Sequence, residues 1–278
     1  MTRQTLGLTA LLFSSLAFSG LPGLAAPLSP SPLSSPSPSS PTAINFALLQ
    51  KALAPMSGGN GLKLSSTVGL TANMSGVSVT AHTRLDVIAQ RPGRFRITAT
   101  RVSDQGAAQQ RFVLVSNGVK VWTYAPGTNR YSVRTLAAFD NRDDNFLSEG
   151  LVTSFYVGEG QDFIALLHSL NAGDSAGTLL EIRKSGGVLT QQPPSAGSPE
   201  ETIYQLAIPK DKFSFYFHAS TRTGQLTRFG LMGSGDGAQV TMQEDIAQIS
   251  SLPSVPISTF YFAPPPGAVR AANVSVSP

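Results

Sequence analysis

The segment from Leu85 to Tyr131, LDVIAQRPGRFRITATRVSDQGAAQQRFVLVSNGVKVWTYAPGTNRY, constrains the fold more than any other part of the chain. Four runs of alternating residues are joined at Arg91-Pro92-Gly93, Asn117-Gly118 and Pro126-Gly127, the turn chemistry of an antiparallel meander. Phe95 and Ile97 share one face of a strand, Phe112 and Leu114 one face of another, and Trp122 and Tyr124 point together on the next. Aromatic and aliphatic residues at alternate positions of neighbouring strands are expected to meet as one apolar patch. Under helices such a patch is a core that needs no ligand; as the wall of an incompletely closed barrel it suits acyl chains.

The rest of the chain extends this sheet. Leu62, Leu64, Val68 and Leu70 alternate, as do Val77, Val79, Ala81, Leu85 and Val87. Further strands are expected at Thr178–Arg183, Thr202–Ile208, Phe213–Thr221, Leu226–Met232 and Ala238–Ile246, with Ser185–Glu201 a loop rich in Gly, Pro and Ser. A helix is expected from an N-cap at Thr42 to Ala54, ended by Pro55. Between Ala137 and Gly173 alternation stops, and Phe163, Leu166, Leu167 and Leu170 recur at i, i+3, i+4 and i+7, the spacing of an amphipathic helix. The expected class is α+β: one antiparallel sheet of about ten strands, helices gathered on one side.

The first residues read as a targeting segment. Arg3 precedes an apolar run from Leu6 to Phe18, too short to span a bilayer, and Gly23-Leu24-Ala25 supplies small residues, so residues 1–25 are expected to be a signal peptide cut before Ala26. Residues 26–41 are largely Pro and Ser and are expected to form an extended tether, with the folded domain at 42–278. The chain has no cysteine, which excludes both a lipidated N-terminal cysteine and disulfides and fits export into a bacterial periplasm.

Little here can make or break bonds. His82, His168 and His218 lack partners at metal-ligand spacing, Asp140, Asp143, Asp144 and Glu149 do not follow a calcium loop, and Gly233-Ser234-Gly235-Asp236-Gly237 joins two strands as a hairpin. No nucleophile elbow or phosphate loop is present, so no enzyme, cofactor or metal is expected. The net charge of +4 on a chain with 13% charged residues is no nucleic-acid signature. Arg84, Arg91, Arg94, Arg96, Arg101, Arg111, Arg130 and Arg134 nevertheless cluster in the meander, either as a solvated face or as a strip for acidic partners or anionic head groups.

Three segments together resemble the periplasmic lipoprotein carriers of the LolA type. Gln90-Arg91-Pro92-Gly93-Arg94-Phe95 is similar to that family's basic turn and strand, the Val115–Pro126 segment to its Asp-Gly-Lys-x-x-Trp-x-Tyr-x-Pro hairpin, and the Phe260–Gly267 segment to its closing strand. Ile97 stands where the carriers often have tryptophan, and Asn117 replaces the turn aspartate. The resemblance implies a single strongly curved sheet, a half-open β-barrel, with helices forming a lid over the concave face. It implies a non-enzymatic monomer that binds lipoprotein acyl chains or lipid and exchanges them with inner- or outer-membrane lipoprotein-sorting proteins. Relatives on this fold also include envelope protein-interaction and stress-sensing modules. By this similarity Arg91 would hydrogen bond to the lid and govern its opening, and Phe95 would line the cavity. Ile97, Phe112, Leu114, Trp122 and Tyr124 would join that wall, with Phe163, Leu166 and Leu167 in the lid.

Overall fold

The computed structural model describes residues 43–74, 77–102, 110–140, 145–158, 169–192, 200–235 and 238–274. The expected leader and tether, and Phe163, Leu166, Leu167 and His168, lie outside these residues. Two meanders make one sheet. The first runs β1 (Gly61–Met74), β2 (Val77–Gln90), β3 (Arg94–Val102), β4 (Gln110–Asn117), β5 (Lys120–Ala125) and β6 (Arg130–Thr135). The second runs β7 (Val188–Gln192), β8 (Glu201–Ile208), β9 (Phe213–Ser220), β10 (Leu226–Gly235) and β11 (Ala238–Leu252), and β12 (Val269–Arg270) follows. Their order is β12-β6-β5-β4-β3-β2-β1-β11-β10-β9-β8-β7, so β1 and β11, of 14 and 15 residues, weld the meanders at the centre. The sheet is open at β12 and β7. Its pairs are antiparallel except β12 on β6, which is parallel.

Five described helices accompany the sheet: α1 (Phe46–Ser57), α2 (Leu136–Asp140), α3 (Asn145–Glu149), α4 (Leu151–Val157) and α5 (Ser175–Lys184). Among the described residues none is long and apolar enough to cross a membrane. The N-cap of α1 is Asn45 rather than Thr42; its side chain accepts from the Leu48 N–H at 3.1 Å. Pro55 lies inside the helix, not beyond it. So near the C-terminus its missing N–H leaves only one helical carbonyl without a donor, and the last turn closes through Gly58 N–H on Ala54 O.

The strand expected at Thr178–Arg183 is the body of α5 instead. Asp174 accepts from Gly177 N–H at 2.8 Å, Arg183 and Lys184 occupy the last turn, and the buried Thr178 and Ile182 sit one helical turn apart. Asp174→Ala is expected to cost about 1 kcal/mol, the usual loss for such a cap, as a lowered urea midpoint with an unchanged slope. The expected loop at Ser185–Glu201 contains β7. Its sequence VLTQQ is polar because the strand is an edge with only β8 beside it.

The helices lie on one face of the sheet. Leu64, Leu85, Phe95, Ile97 and Leu114 from the first meander and Tyr204, Phe217 and Phe229 from the second are buried there as one cluster with Leu53, Leu151 and Tyr156 of the helices. Trp122 and Tyr124 are not on this face. Register places Thr123 opposite Leu114 and Val121 opposite Ser116, so the small residues of β5 face the helices while Trp122 and Tyr124 stand opposite Val115 and Val113 on the other side.

Their cover is the C-terminal segment. A 3-10 turn at Ile257–Phe260 lies against β3 and β4, with Phe260 buried, and the Phe262 ring then sits 6.4, 5.9 and 6.0 Å from those of Trp122, Tyr124 and Tyr131. The stretch expected as a closing strand is therefore a strap across the outer face. Pro264, Pro265 and Pro266 carry no N–H and cannot donate to a ladder, and pairing resumes only at Val269–Arg270. Phe262→Ala is expected to destabilise the fold by about 2 kcal/mol, below the range for a fully buried phenylalanine because the ring is only partly covered. Trp122 is the chain's single tryptophan, so its emission should shift to the red as the ring is uncovered.

Candidate functional site

The turn between β2 and β3 fastens the helices to the sheet. Helix C-termini leave their last carbonyls without intrahelical donors. Arg91 answers two of them: its Nε donates to Tyr156 O at 2.6 Å and its Nη2 to Met56 O at 3.1 Å, the penultimate residues of α4 and α1. The guanidinium carbon lies 4.5 Å from the centre of the Tyr156 ring. Burial draws Arg91 below its ordinary pKa while Tyr156 acts in the opposite sense, and the fork still carries its charge. Two residues on, Gly93 N–H donates to Val157 O at 3.2 Å and Gly93 O accepts from Ser116 Oγ at 2.6 Å. Gly93 has φ of +61°, and a Cβ there would meet Leu136 Cδ2 of α2 at 2.5 Å. One short turn thus touches α1, α2 and α4.

The other end of α4 rests on a buried carboxylate. Glu244 of β11 stands between Val68 and Phe229 in the ladder, wholly buried. Its Oε2 accepts from Val152 N–H at 2.8 Å and its Oε1 from Ser66 Oγ at 2.6 Å. Gly150, the N-cap of α4, offers no side chain of its own. A Cβ there would meet Glu244 Oε1 at 2.7 Å and Leu85 Cδ1 at 2.9 Å, so Glu244 takes the capping role from across the interface. Burial pushes Glu244 up to about 7, against the hydrogen bonds from Ser66, Val152 and Leu151 that lower it. Glu149, also buried, is held well above the usual carboxylate range by burial, then by Asp140 and Glu244. The Thr153 hydroxyl of α4 is buried with no partner among the described residues. A seven-residue helix that carries one unsatisfied hydroxyl is therefore clamped at both ends over a face that contains a buried carboxylate.

Of the residues that sequence points to, Phe95, Ile97, Phe112 and Leu114 come together under the helices. The Phe95 ring lies 5.8 Å from that of Phe139 in α2. Trp122 and Tyr124 belong to the strap side. The described part of the expected lid helix contributes Leu170, buried beside Leu49, Leu53, Ile182, Leu206 and Phe217 around a void of about 10 Å³, space for one water-sized sphere. His82 is on β2 and His218 on β9, the latter 3.3 Å from Glu201. Among the described residues no three His, Asp or Glu side chains gather as metal ligands.

Two features escaped the sequence reading. Phe155 of α4 packs 5.2 Å from both Phe215 and Phe229, so the aromatic wall continues into the second meander; Phe213, Phe215 and Phe217 at alternate positions were its signal. Glu244 breaks the alternation of Val240, Met242 and Ile246, and a lone carboxylate at a core position was the mark of a buried fastening.

No protein-family model matches this chain, and no curated protein matches it. Solved structures similar to it include an uncharacterized conserved protein from Thermus thermophilus, 8% identical, covering 81% of this chain and 98% of that one with a TM-score of 0.36. MucB of Pseudomonas aeruginosa in complex with MucA is 11% identical, covering 74% of this chain and 56% of that one with a TM-score of 0.31. A LolA superfamily protein from Nitrosomonas europaea is 9% identical, covering 78% of this chain and 96% of that one with a TM-score of 0.31.

Proposed function

We propose that this chain is an exported, non-enzymatic binding protein of the bacterial periplasm that takes acyl chains of lipoproteins or lipid between the covered face of its sheet and helices α2–α4. Residues 1–25 act as the signal peptide and 26–41 as a tether for the domain at 42–278. The observation that carries this reading is the way the cover is held: α4 is clamped at its ends by Glu244 and by Arg91 with Gly93, and beneath it lies an apolar wall broken by Glu244 and Ser66. Lifting the cover uncovers Phe95, Ile97, Phe112 and Leu114. Each methylene of a guest that replaces it contributes about 0.8 kcal/mol, so a single acyl chain can offset the lost packing while release stays possible. In native mass spectrometry of the mature protein purified from membranes, bound lipid is expected, together with saturable uptake of a fluorescent fatty acid. Protein that carries no lipid and takes up no probe rules the reading out.

One observation favours a second reading, an envelope protein-interaction or sensing module. The covered face is filled by the chain's own side chains, and the void near Leu49 and Leu170 holds only about 10 Å³. A module of this kind would retain a protein partner in lipid-free form; a carrier would lose its cargo when delipidated.

A further inference from the structure

Charge is distributed unevenly between the two meanders. Residues 61–135, the first meander, contain ten Lys and Arg against two Asp and Glu, whereas residues 188–252, the second, contain four against six. A net charge of +4 conceals this polarity. The cations of the first meander are arranged by the ladder. Arg84 on β2 stands opposite Thr100 on β3, which stands opposite Arg111 on β4. Along the next row Lys63 on β1 stands opposite Ile88, which stands opposite Arg96. Each pair is thus two strands apart, about 10 Å at the usual strand spacing. All four alternate with residues buried under the helices, and all four are exposed on the outer face. The one described acid of the first meander, Asp86, accepts from Ser65. None of the four cations is in an ion pair among the described residues, and Arg96 reaches only the Thr259 carbonyl at 3.5 Å.

Apolar groups border the Arg96 end of this face. The strap that crosses β3 and β4 turns Ile257 and Tyr261 outward, 52% and 67% exposed. We infer that the outer face of the first meander, which carries Lys63, Arg84, Arg96 and Arg111 and is crossed by the strap with Ile257 and Tyr261, is a docking surface for an anionic phospholipid bilayer. Spread cations meet lipid head groups without needing a matched partner geometry, and the two protruding apolar side chains enter the interfacial zone that tyrosine favours. Single-stranded nucleic acid needs open aromatic platforms, but the rings of Trp122, Tyr124 and Tyr131 are occupied by Phe262. This inference does not rest on acyl-chain uptake under the helices, which uses the opposite face of the sheet.

The test is flotation of the mature full chain with vesicles of phosphatidylcholine alone or mixed with phosphatidylglycerol. Binding is expected only to the mixed vesicles and is released by high salt. The double variant Arg84→Gln/Arg111→Gln should bind about 25-fold more weakly, about fivefold for each cation removed. Lys210→Gln/Lys212→Gln in the acidic second meander should bind like the wild type. Tyr261→Ser provides an independent variant should the arginine pair prove unfoldable, with weaker binding to the same vesicles expected. Equal binding to phosphatidylcholine alone, equal loss in the Lys210/Lys212 variant, or capture of an acidic protein without vesicle binding overturns the inference. Fatty-acid uptake measured in the Arg84/Arg111 variant separates this outcome from failure of the carrier reading, since that activity should persist.

Discussion

Arg91→Leu is expected to loosen α1 and α4 together, weakening the folded state by about 3 kcal/mol and raising amide exchange in these two helices ahead of the sheet. The substitution removes two hydrogen bonds from a charged donor, each contributing about 1.5 to 3 kcal/mol, although water reaches the freed carbonyls once the helix ends lift and returns part of that loss. Leucine retains some packing but not the attraction of a cation to the Tyr156 ring, about 1 kcal/mol in a partly desolvated position. Arg91→Lys should fall between the two: it keeps the charge, yet a single ammonium replaces a planar fork that spans Met56 O and Tyr156 O at once. Hydrogen exchange read by mass spectrometry resolves the point. If α1 and α4 exchange no faster than β3 and β4 relative to wild type, Arg91 is not what holds the cover down. If they do, bound lipid should also be lost faster from the variant.

The parts of this architecture legible in sequence were those with a local period. Alternation and turn chemistry marked the first meander and three of its turns, while the break between β3 and β4 went unmarked; Asn117 and Gly118 were legible because they fix a hairpin within their own neighbourhood: the Asn117 side chain accepts from Val119 and Lys120 N–H, and Gly118 adopts φ of +90°. The orientation of β5 was not local. Trp122 and Tyr124 are larger than Val121, Thr123 and Ala125, so side-chain size alone assigns the wrong face to the core; only Phe262, more than a hundred residues later, gives these rings a partner on the outer face. The segment 178–183 was misread for a related reason. Its few apolar residues fit either period, and what settles the matter is the Asp174 cap preceding it. Arg91 was visible because a basic residue beside a Pro-Gly turn is conspicuous, and its resemblance to a family motif supplied a role. The period of β11 flags Glu244 as a carboxylate at a core position, but what it fastens depends on β1, β11 and α4 meeting, which no period reveals.

That fastening carries the last expected result: between about pH 4.5 and pH 7 the protein should become less stable as pH rises. A glutamate in the unfolded chain titrates near 4.5, and burial brings Glu244 in the folded protein to about 7. Below the first value both states hold the proton and the group contributes its full stability. Between the two values the unfolded chain releases a proton that the folded one keeps, so stability declines by about 1.4 kcal/mol per pH unit, about 3 kcal/mol in all, and then levels off once both states are ionised. Glu149, raised by burial, Asp140 and Glu244, acts in the same direction. Glu201 acts oppositely and in a lower window: partial burial raises it, but Thr227, His218 and Arg228 hold it below 4.5 on balance, so its contribution is lost only as pH falls through that depressed value. Glu244→Gln isolates the effect. Its amide oxygen can still accept from Val152 N–H and its NH2 can donate to Ser66, so the cap survives while the buried charge is abolished. At pH 4.5 the variant should match the wild type, and well above pH 7 it should be more stable by up to about 3 kcal/mol. Glu244→Leu, which leaves Val152 N–H without its acceptor, should gain less. Urea midpoints measured across this range decide the matter: a wild-type stability that is flat or rises between pH 4.5 and 7 would mean that Glu244 is ionised in the fold and that its donors outweigh burial. With the expected slope, the hold on α4 is weakest at and above neutral pH, where the charge beneath the helix is least comfortable and the cover is easiest to lift.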